Sequence, residues 1–163
     1  MNIKIRKYTK TDILDTIQIW NDVVEEGVAF PQIDSLTEET GDTFFEEQSF
    51  TGIAYNEDNG EIVGLYILHP NNVGRCRHIC NASYAVKSSV RGQHIGEALV
   101  KHCMKKGKEL GFTILQFNAV VKSNQSALHL YEKLGFTQLG VIPDGFLLKD
   151  GNYEDIIPHY HVL

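Results

Sequence analysis

A short polar segment, residues 86–96, carries residue types that bind anions. It lies between a predicted strand and a predicted helix. At the start of a helix several backbone N–H groups lack an intrahelical partner, and the helix dipole favours negative charge. Gly92 and Gly96 let the backbone approach a phosphate closely, and Arg91 adds a charged donor. The segment therefore predicts a phosphate site, with a plain connection whose glycines only shape the turn as the alternative.

Other phosphate-binding patterns do not fit this segment. It has neither the G-x-G-x-x-G pattern of dinucleotide-binding proteins nor the G-x-x-x-x-G-K-S/T pattern of P-loops. The segment therefore does not favour a dinucleotide-binding or nucleotide-hydrolysing protein.

Asn124 and Tyr131 form a second candidate unit. Asn124 stands where it would cap a helix, and Tyr131 follows seven residues later on roughly the same helical face. A tyrosine hydroxyl, with an ordinary pKa near ~10, can donate a proton to a reacting group. The alternative is a core tyrosine whose hydroxyl is hydrogen-bonded.

Two asparagines, Asn81 and Asn118, interrupt apolar strands. An amide buried in such a strand costs free energy unless it is hydrogen-bonded, so each needs a partner. Strand alternation puts the neighbours of each asparagine, among them Phe117 and Ala119, on the opposite face. Two amides that converge between parallel strands can donate to a carboxylate. Equally, they can bond each other or loop backbone.

A cluster of thiols and imidazoles offers ligand types that zinc prefers. Cys76, His78 and Cys80 alternate and would share one face of a strand, as would His159 and His161. The usual structural zinc spacings are absent, so we predict buried thiols and a polar histidine rather than a metal. Three cysteines also fit a reducing cytoplasm better than a disulfide framework.

The elements that position these residues follow from hydrophobic period and turn signals. The predicted strands are Asn2–Tyr8, Ser49–Asn56, Glu61–His69, His78–Val86, Phe112–Val121, Phe136–Ile142 and Tyr153–Val162. The predicted helices run from Thr9 or Thr11 to near Gly27, from Ser35 or Thr37 to near Gln48, from Ile95 to Leu110 and from Asn124 to Leu134. A glycine-rich turn region joins the last two strands.

This order predicts one mixed α/β domain over residues 1–163. The strands before and after the long helix form a parallel pair inside an otherwise antiparallel sheet, in three layers. A ligand is expected at the carboxyl ends of that pair. The net charge of −6 disfavours a nucleic-acid partner. No apolar stretch approaches the length of a membrane span, and the first residues lack a signal core, so we expect a cytoplasmic protein with no membrane partner.

The two site segments together resemble the GNAT N-acetyltransferases. Arg91, Ile95 and Gly96 match the pyrophosphate motif R/Q-x-x-G-x-G/A of that family, with His94 where its first glycine is usual. Residues 124–136 match the family pattern N-x-x-A-x-x-L-Y-x-x-x-G-F in full. His94 would either contact phosphate through its imidazole or have ordinary helical dihedrals. The resemblance implies a mostly antiparallel sheet with one central, splayed parallel strand pair.

What the resemblance implies for the site can be placed on this chain. Acetyl-CoA would be the acyl donor, and acetyl would pass directly to an amine, so the cysteines are not expected nucleophiles. Tyr131 would protonate the leaving thiolate. The pantetheine arm would meet backbone groups of Ala85 and Val86 and the side chain of Asn124. The pyrophosphate would be held by Arg91, Gly92, Gln93, His94, Ile95 and Gly96.

The acceptor amine must lose a proton to attack, and its base stays open among Glu25, Glu26, His78 and a water chain. The strands around Asn81 and Asn118 resemble those of proline-analogue N-acetyltransferases, in which matching asparagines hold the substrate carboxylate. The first helix resembles that of phosphinothricin-type acetyltransferases. Both resemblances imply a small, amino-acid-like amine as substrate. The alternatives are a protein or peptide acetyltransferase and a non-catalytic acyl-CoA sensor. The resemblance also implies a homodimer formed through an exposed C-terminal strand.

Overall fold

The computed structural model describes residues 1–163 and contains one eight-stranded sheet and four α-helices. The strands are β1 (Ile3–Lys7), β2 (Phe50–Asn56), β3 (Ile62–Pro70), β4 (Ile79–Val86), β5 (Ile114–Val121), β6 (Thr137–Gln138), β7 (Ile142–Leu147) and β8 (Tyr153–Val162). The helices are α1 (Ile13–Glu26), α2 (Glu38–Glu46), α3 (Ile95–Glu109) and α4 (Gln125–Lys133). No helix is both long and apolar enough to cross a bilayer.

The sheet runs in the order β1-β2-β3-β4-β5-β8-β6, with β7 also paired to β8. Only β4 and β5 are parallel, and only two residue pairs join them, Ile79 with Ile114 and Cys80 with Leu115. Beyond these pairs the strands separate toward their carboxyl ends. The predicted mixed sheet with a splayed parallel pair is therefore confirmed.

Helices cover both faces of the sheet. On one face Trp20 of α1 packs with Phe45 of α2 and with Leu65 of β3, because the apolar side chains of α1 recur at helical spacing. On the other face Leu99 of α3 joins a separate core with Tyr66 of β3. These two cores on opposite sides of one sheet make the three layers that the sequence predicted.

A tight turn joins β2 to β3 in an antiparallel hairpin. The turn contains Asn59 and Gly60, and Gly60 has a φ of 76°, the left-handed conformation that glycine adopts without strain. The predicted turn at residues 58–60 is confirmed. β3 itself is buried along most of its length.

The predicted strand Phe136–Ile142 is wrong, and so is the turn region after it. β6 covers two residues only, and Ile142–Leu147 forms strand β7. Pro143 and Gly145 are residue types that favour turns, but this strand accommodates them because β7 pairs on one side only, with β8, and its register shifts between Ile142 and Phe146. A Cβ atom at residue 145 would lie 2.5 Å from Cγ1 of Ile156, so this strand needs glycine.

The C-terminal strand, β8, is not an edge strand of the sheet. β8 pairs with β5 on one side and with β6 and β7 on the other. Its backbone groups are therefore used within the sheet. A homodimer formed by strand pairing at β8 is therefore not available, and the homodimer stays a prediction.

Candidate active site

The gap between β4 and β5 opens into a cavity of about 1100 Å³. It extends from the N-terminal ends of α3 and α4 on one side of the sheet to residues 28–31, which follow α1, on the other. All of the predicted site residues line it except two. The residues that do are Asn81, Val86, Arg91, Gly92, His94, Ile95, Gly96, Asn118, Asn124 and Tyr131.

Ala85 and Gln93 are the two that do not line the cavity. The Ala85 side chain is buried on the α1 face, in the core that contains Trp20, and its backbone pairs with Leu65 of β3. Gln93 lies in the turn before α3 with an exposed side chain. The cofactor contacts that the resemblance assigned to these two residues stay predictions.

The turn before α3 exposes a row of backbone donors. Gly92 has a φ of 80° and His94 a φ of 60°, which turn the chain tightly into the helix. The first intrahelical bond runs from Ala98 N to the His94 carbonyl. The N–H groups of residues 92–97 therefore have no acceptor in the protein. Such a row at a helix N-terminus suits a phosphate group.

His94 does not have ordinary helical dihedrals, so that alternative is wrong. It adopts the left-handed conformation, with φ 60° and ψ 15°, which glycine adopts more readily than a residue with a Cβ atom. Its imidazole is 81% exposed, with Nδ1 3.6 Å from a carboxylate oxygen of Glu97. The imidazole is therefore exposed at the N-terminal end of α3.

Arg91 does not point freely into solvent. Its Nη2 donates a 2.7 Å hydrogen bond to Oε1 of Glu26, the last residue of α1. Its Nε also donates to the Val86 carbonyl at 3.4 Å. The loop before α3 is therefore tied to α1 across the cavity wall.

Glu97 is a cavity residue that sequence reasoning missed. Its carboxylate pairs with Lys101 at 2.7 Å and with Lys133 of α4 at 2.7 Å. These hydrogen bonds lower the pKa of Glu97 to about 2. The i,i+4 spacing of Glu97 and Lys101 was visible in the sequence, whereas the contact with Lys133 depends on the packing of α4.

Asn124 and Tyr131 are placed by α4. Asn124 Oδ1 accepts a hydrogen bond from Ala127 N at 3.3 Å, so the predicted helix cap is confirmed. The Tyr131 ring packs 4.5 Å from the ring of Phe117 and edge-on to that of His159. The Tyr131 hydroxyl makes no hydrogen bond within the protein and is not among the fully enclosed polar atoms. Burial raises the pKa of Tyr131 well above its usual value, so the hydroxyl holds its proton at neutral pH.

The two asparagines line the same cavity but do not bond each other. Asn81 Oδ1 accepts from Ala82 N at 2.7 Å. Asn118 Nδ2 donates to Oδ1 of Asn71, in the loop after β3, at 2.7 Å, and its Oδ1 accepts from Gln116 at 3.0 Å. One amide is thus held by a loop side chain.

The predicted alternation around Asn118 is wrong at Ala119. The register of β5 against β8 shifts between Phe117 and Val120, which inserts one residue into β5. Phe117 lies in the core with α3, whereas Ala119 packs on the other face beside Phe146. The side chains of β5 therefore change faces at Asn118, whose own side chain is exposed to the cavity.

Of the side chains considered as a base, only Glu26 lines the cavity. Glu25, its neighbour, pairs with Lys149 at 2.9 Å and lies outside it. His78 precedes β4, is exposed and is also outside the cavity. The side-chain choice therefore reduces to Glu26.

The predicted strand face of Cys76, His78 and Cys80 does not form, because β4 begins at Ile79 and Cys76 lies in a separate turn. No three histidine, cysteine or acidic side chains gather closely enough to hold a metal ion. Burial raises the pKa of the Cys80 thiol to about 12 and that of Cys103 further. These two thiols therefore carry no thiolate near neutral pH.

A family model described as the acetyltransferase (GNAT) family matches residues 17–136. The chain belongs to the GNAT family. That match includes the loop before α3 and all of α4, the two segments that the sequence motifs indicated. The GNAT assignment also accounts for the splayed parallel pair at the centre of the sheet.

Known proteins support the GNAT assignment both by sequence identity and by structural superposition. The chain is 35% identical over 102 residues to N-acetyltransferase aca1 of Schizosaccharomyces pombe; the match covers 61% of this chain and 49%, about half, of that protein. A GCN5-related N-acetyltransferase from Kribbella flavida superimposes with a TM-score of 0.90 at 27% identity, over 99% of this chain and 98% of that one. A phosphinothricin acetyltransferase from Sinorhizobium meliloti, in complex with acetyl-CoA, gives a TM-score of 0.91 at 21% identity, over 100% and 89%. The last comparison shows a shared fold.

Proposed function

We propose that this protein is an N-acetyltransferase that takes acetyl-CoA as acyl donor and acetylates the amine of a small, amino-acid-like molecule. One observation carries the proposal. The unpaired N–H groups of residues 92 and 94–97 and the free hydroxyl of Tyr131 belong to one cavity, which passes through the gap between β4 and β5. This arrangement supports a groove with a phosphate-binding end and a proton donor.

The loop before α3 supplies the phosphate end. Its N–H groups lack acceptors, and a ligand pyrophosphate satisfies them while it meets the positive end of the helix dipole. Lys133 adds a cation at the cavity wall. The separated edges of β4 and β5 leave backbone groups unpaired beside the groove, which suits the amide-bearing arm of CoA.

The transfer needs one group that accepts the proton of the amine and another that donates a proton to the departing sulfur. The neutral amine attacks the thioester carbonyl carbon, a C–N bond forms, and the C–S bond breaks. Tyr131 gives its proton to the departing sulfur, and a raised pKa keeps that proton in place until the sulfur becomes basic. The proton of the amine leaves to water or to Glu26. Because acetyl passes directly, the buried cysteines have no covalent role.

The acceptor end lies on the α1 side of the sheet. Residues 28–31 close the cavity there, and Asn81 and Asn118 stand where β4 and β5 separate. Amide donors at that point favour an acceptor with a carboxylate beside its amine, because the carboxylate anchors the amine next to the thioester. The resemblance to acetyltransferases that act on amino acids supports the same substrate class.

The proposal is tested by release of free CoA thiol from acetyl-CoA over a panel of amino acids, amino-acid analogues and short peptides. We expect turnover with one or more free amino acids and none with peptides. Turnover with peptides alone would assign the protein to the peptide acetyltransferases. CoA binding without turnover on any amine would assign it to the acyl-CoA sensors.

A further inference from the structure

The Arg91–Glu26 ion pair is placed where a phosphate ligand would compete for it. Both side chains line the cavity, and they are 44% and 38% exposed, so neither is locked in the core. Glu26 ends α1, on the other side of the sheet from α3, and Arg91 begins the loop whose N–H groups are unpaired. The pair thus joins the loop before α3 to the end of α1 across the cavity wall.

The two carboxylates that line the cavity, those of Glu26 and Glu97, differ in the number of cations that they contact. Glu97, the other carboxylate that lines the cavity, is neutralised by two lysines, Lys101 and Lys133. Glu26 has Arg91 as its only hydrogen-bond partner. If Arg91 turns away, Glu26 becomes the one carboxylate of the cavity without a cation.

A pyrophosphate is a stronger partner for a guanidinium than one exposed carboxylate. It carries more charge, and its oxygens match the forked donors of arginine. Arg91 is the arginine of the cavity lining, and its Nε already faces the carboxyl end of β4. A pyrophosphate on residues 92–97 therefore draws the Arg91 side chain toward the loop and off Glu26.

We infer that Glu26 is a substrate-binding residue that CoA binding uncovers. In the free protein it is paired with Arg91; with CoA bound it is a free carboxylate on the cavity wall that attracts the cationic amine of the acceptor. This rests on the proposed function. It makes the acceptor bind after the acyl donor, because the negative charge that attracts the amine appears only once Arg91 has moved.

CoA binding, measured by isothermal titration calorimetry, tests the first half. Glu26→Gln removes the carboxylate that competes for Arg91, so the Kd for CoA should fall about two- to fivefold. This is the change in an equilibrium constant that corresponds to the loss of one exposed ion pair. Glu25→Gln is the matched control. It removes the same charge one residue away, outside the cavity, and should leave the Kd unchanged. In an Arg91→Gln background, Glu26→Gln should have no effect.

The outcomes separate this inference from the function beneath it. If wild-type protein does not bind CoA, the proposed function fails. If it binds CoA, and Glu26→Gln leaves the Kd unchanged or raises it, the pairing has no role in cofactor entry and the inference fails. An equal gain from Glu25→Gln would indicate general charge repulsion and would also overturn it.

The second half is tested with the acceptor at saturating acetyl-CoA. Glu26→Gln should raise the KM for the amine about tenfold, which corresponds to the lower end of the contribution of one hydrogen bond to a charged group. Glu25→Gln should leave that KM within about twofold. An unchanged KM in Glu26→Gln would show that the released carboxylate does not meet the amine.

Discussion

Asn118 donates a 2.7 Å hydrogen bond to Asn71, while the side-chain nitrogen of Asn81 has no acceptor in the protein. The two predicted carboxylate donors are therefore not equivalent. A substrate carboxylate can take either N–H of Asn81, whereas Asn118 offers only the second N–H of its amide, because the first is donated to Asn71. This difference gives an order to their expected contributions.

Asn81→Ala should lower kcat/KM for an amino-acid substrate about ten- to hundredfold, because a hydrogen bond to a charged group contributes roughly 1.5–3 kcal/mol. Asn118→Ala should lower it less, since its hydrogen bond to Asn71 is already formed in the free protein. The decarboxylated amine of the same substrate serves as control and should react equally with all three proteins. Equal losses on both substrates would mean that the asparagines do not bind a carboxylate.

Tyr131→Phe should lower kcat about 10²–10⁴-fold, the usual contribution of a general acid. The Kd for CoA should change little, because phenylalanine keeps the packing against Phe117. Single-turnover rates and calorimetric CoA titrations measure the two effects separately. Full turnover in this variant would return Tyr131 to a purely structural role.

At position 94 glycine should be more stabilising than alanine. A left-handed residue with a Cβ atom costs roughly 1–2 kcal/mol, which exceeds the extra chain entropy of glycine, about 0.5–1 kcal/mol. His94→Gly should therefore unfold in urea with a free energy about 0.5–1 kcal/mol above that of His94→Ala. Gly96→Ala, at a helical position with ordinary contacts, should show the opposite preference. A more stable His94→Ala variant would contradict the left-handed backbone.

Acid should weaken the protein partly through Asp12. This carboxyl is 5% exposed and accepts hydrogen bonds from Arg6 at 2.7 and 2.8 Å. Burial alone would raise its pKa, but the hydrogen bonds from Arg6 and Thr9 outweigh burial, and the pKa of Asp12 is lowered. A lowered pKa stabilises the fold above the unfolded value, near ~3.9, and this contribution is lost as the pH falls below it.

Asp12→Asn should therefore lower the free energy of unfolding by about 2 kcal/mol near neutral pH. The difference from wild type should shrink as the pH falls below about 4. Urea unfolding at both pH values measures it, with Asp58→Asn, which loses an exposed carboxyl in the β2–β3 turn, as the control. A difference that does not change with pH would mean that the Asp12 charge is not what stabilises the fold.

Regular elements were predictable because their patterns are local. The Trp20 stripe of α1, the Gly60 turn and the Asn124 cap each depend on residues within a few positions. Strand β7 was missed because Pro143 and Gly145 have strong turn preferences. Those preferences are overridden only by a long partner strand that the local sequence does not contain.

The site was predictable as a set of motif residues and less so as a geometry. The sequence indicated Arg91 and Tyr131 but not which groups they touch. The bulge at Asn118 and the Glu26 contact arise between elements far apart in the chain, and no periodic pattern encodes them. The left-handed backbone at His94 was hidden because histidine rarely adopts it.

The interior place of β8 has a consequence for biosynthesis. β5 contributes Phe117 and Asn118 to the cavity, yet its partner on one side is a strand synthesised about thirty residues later. Until residues 153–162 have left the ribosome, the edge of β5 has no strand to pair with and the ring of Tyr131 has no His159 beside it. A nascent chain can therefore complete the cavity only when translation of this segment ends. Premature stop codons before Tyr153 should therefore yield chains that neither bind CoA nor resist proteolysis.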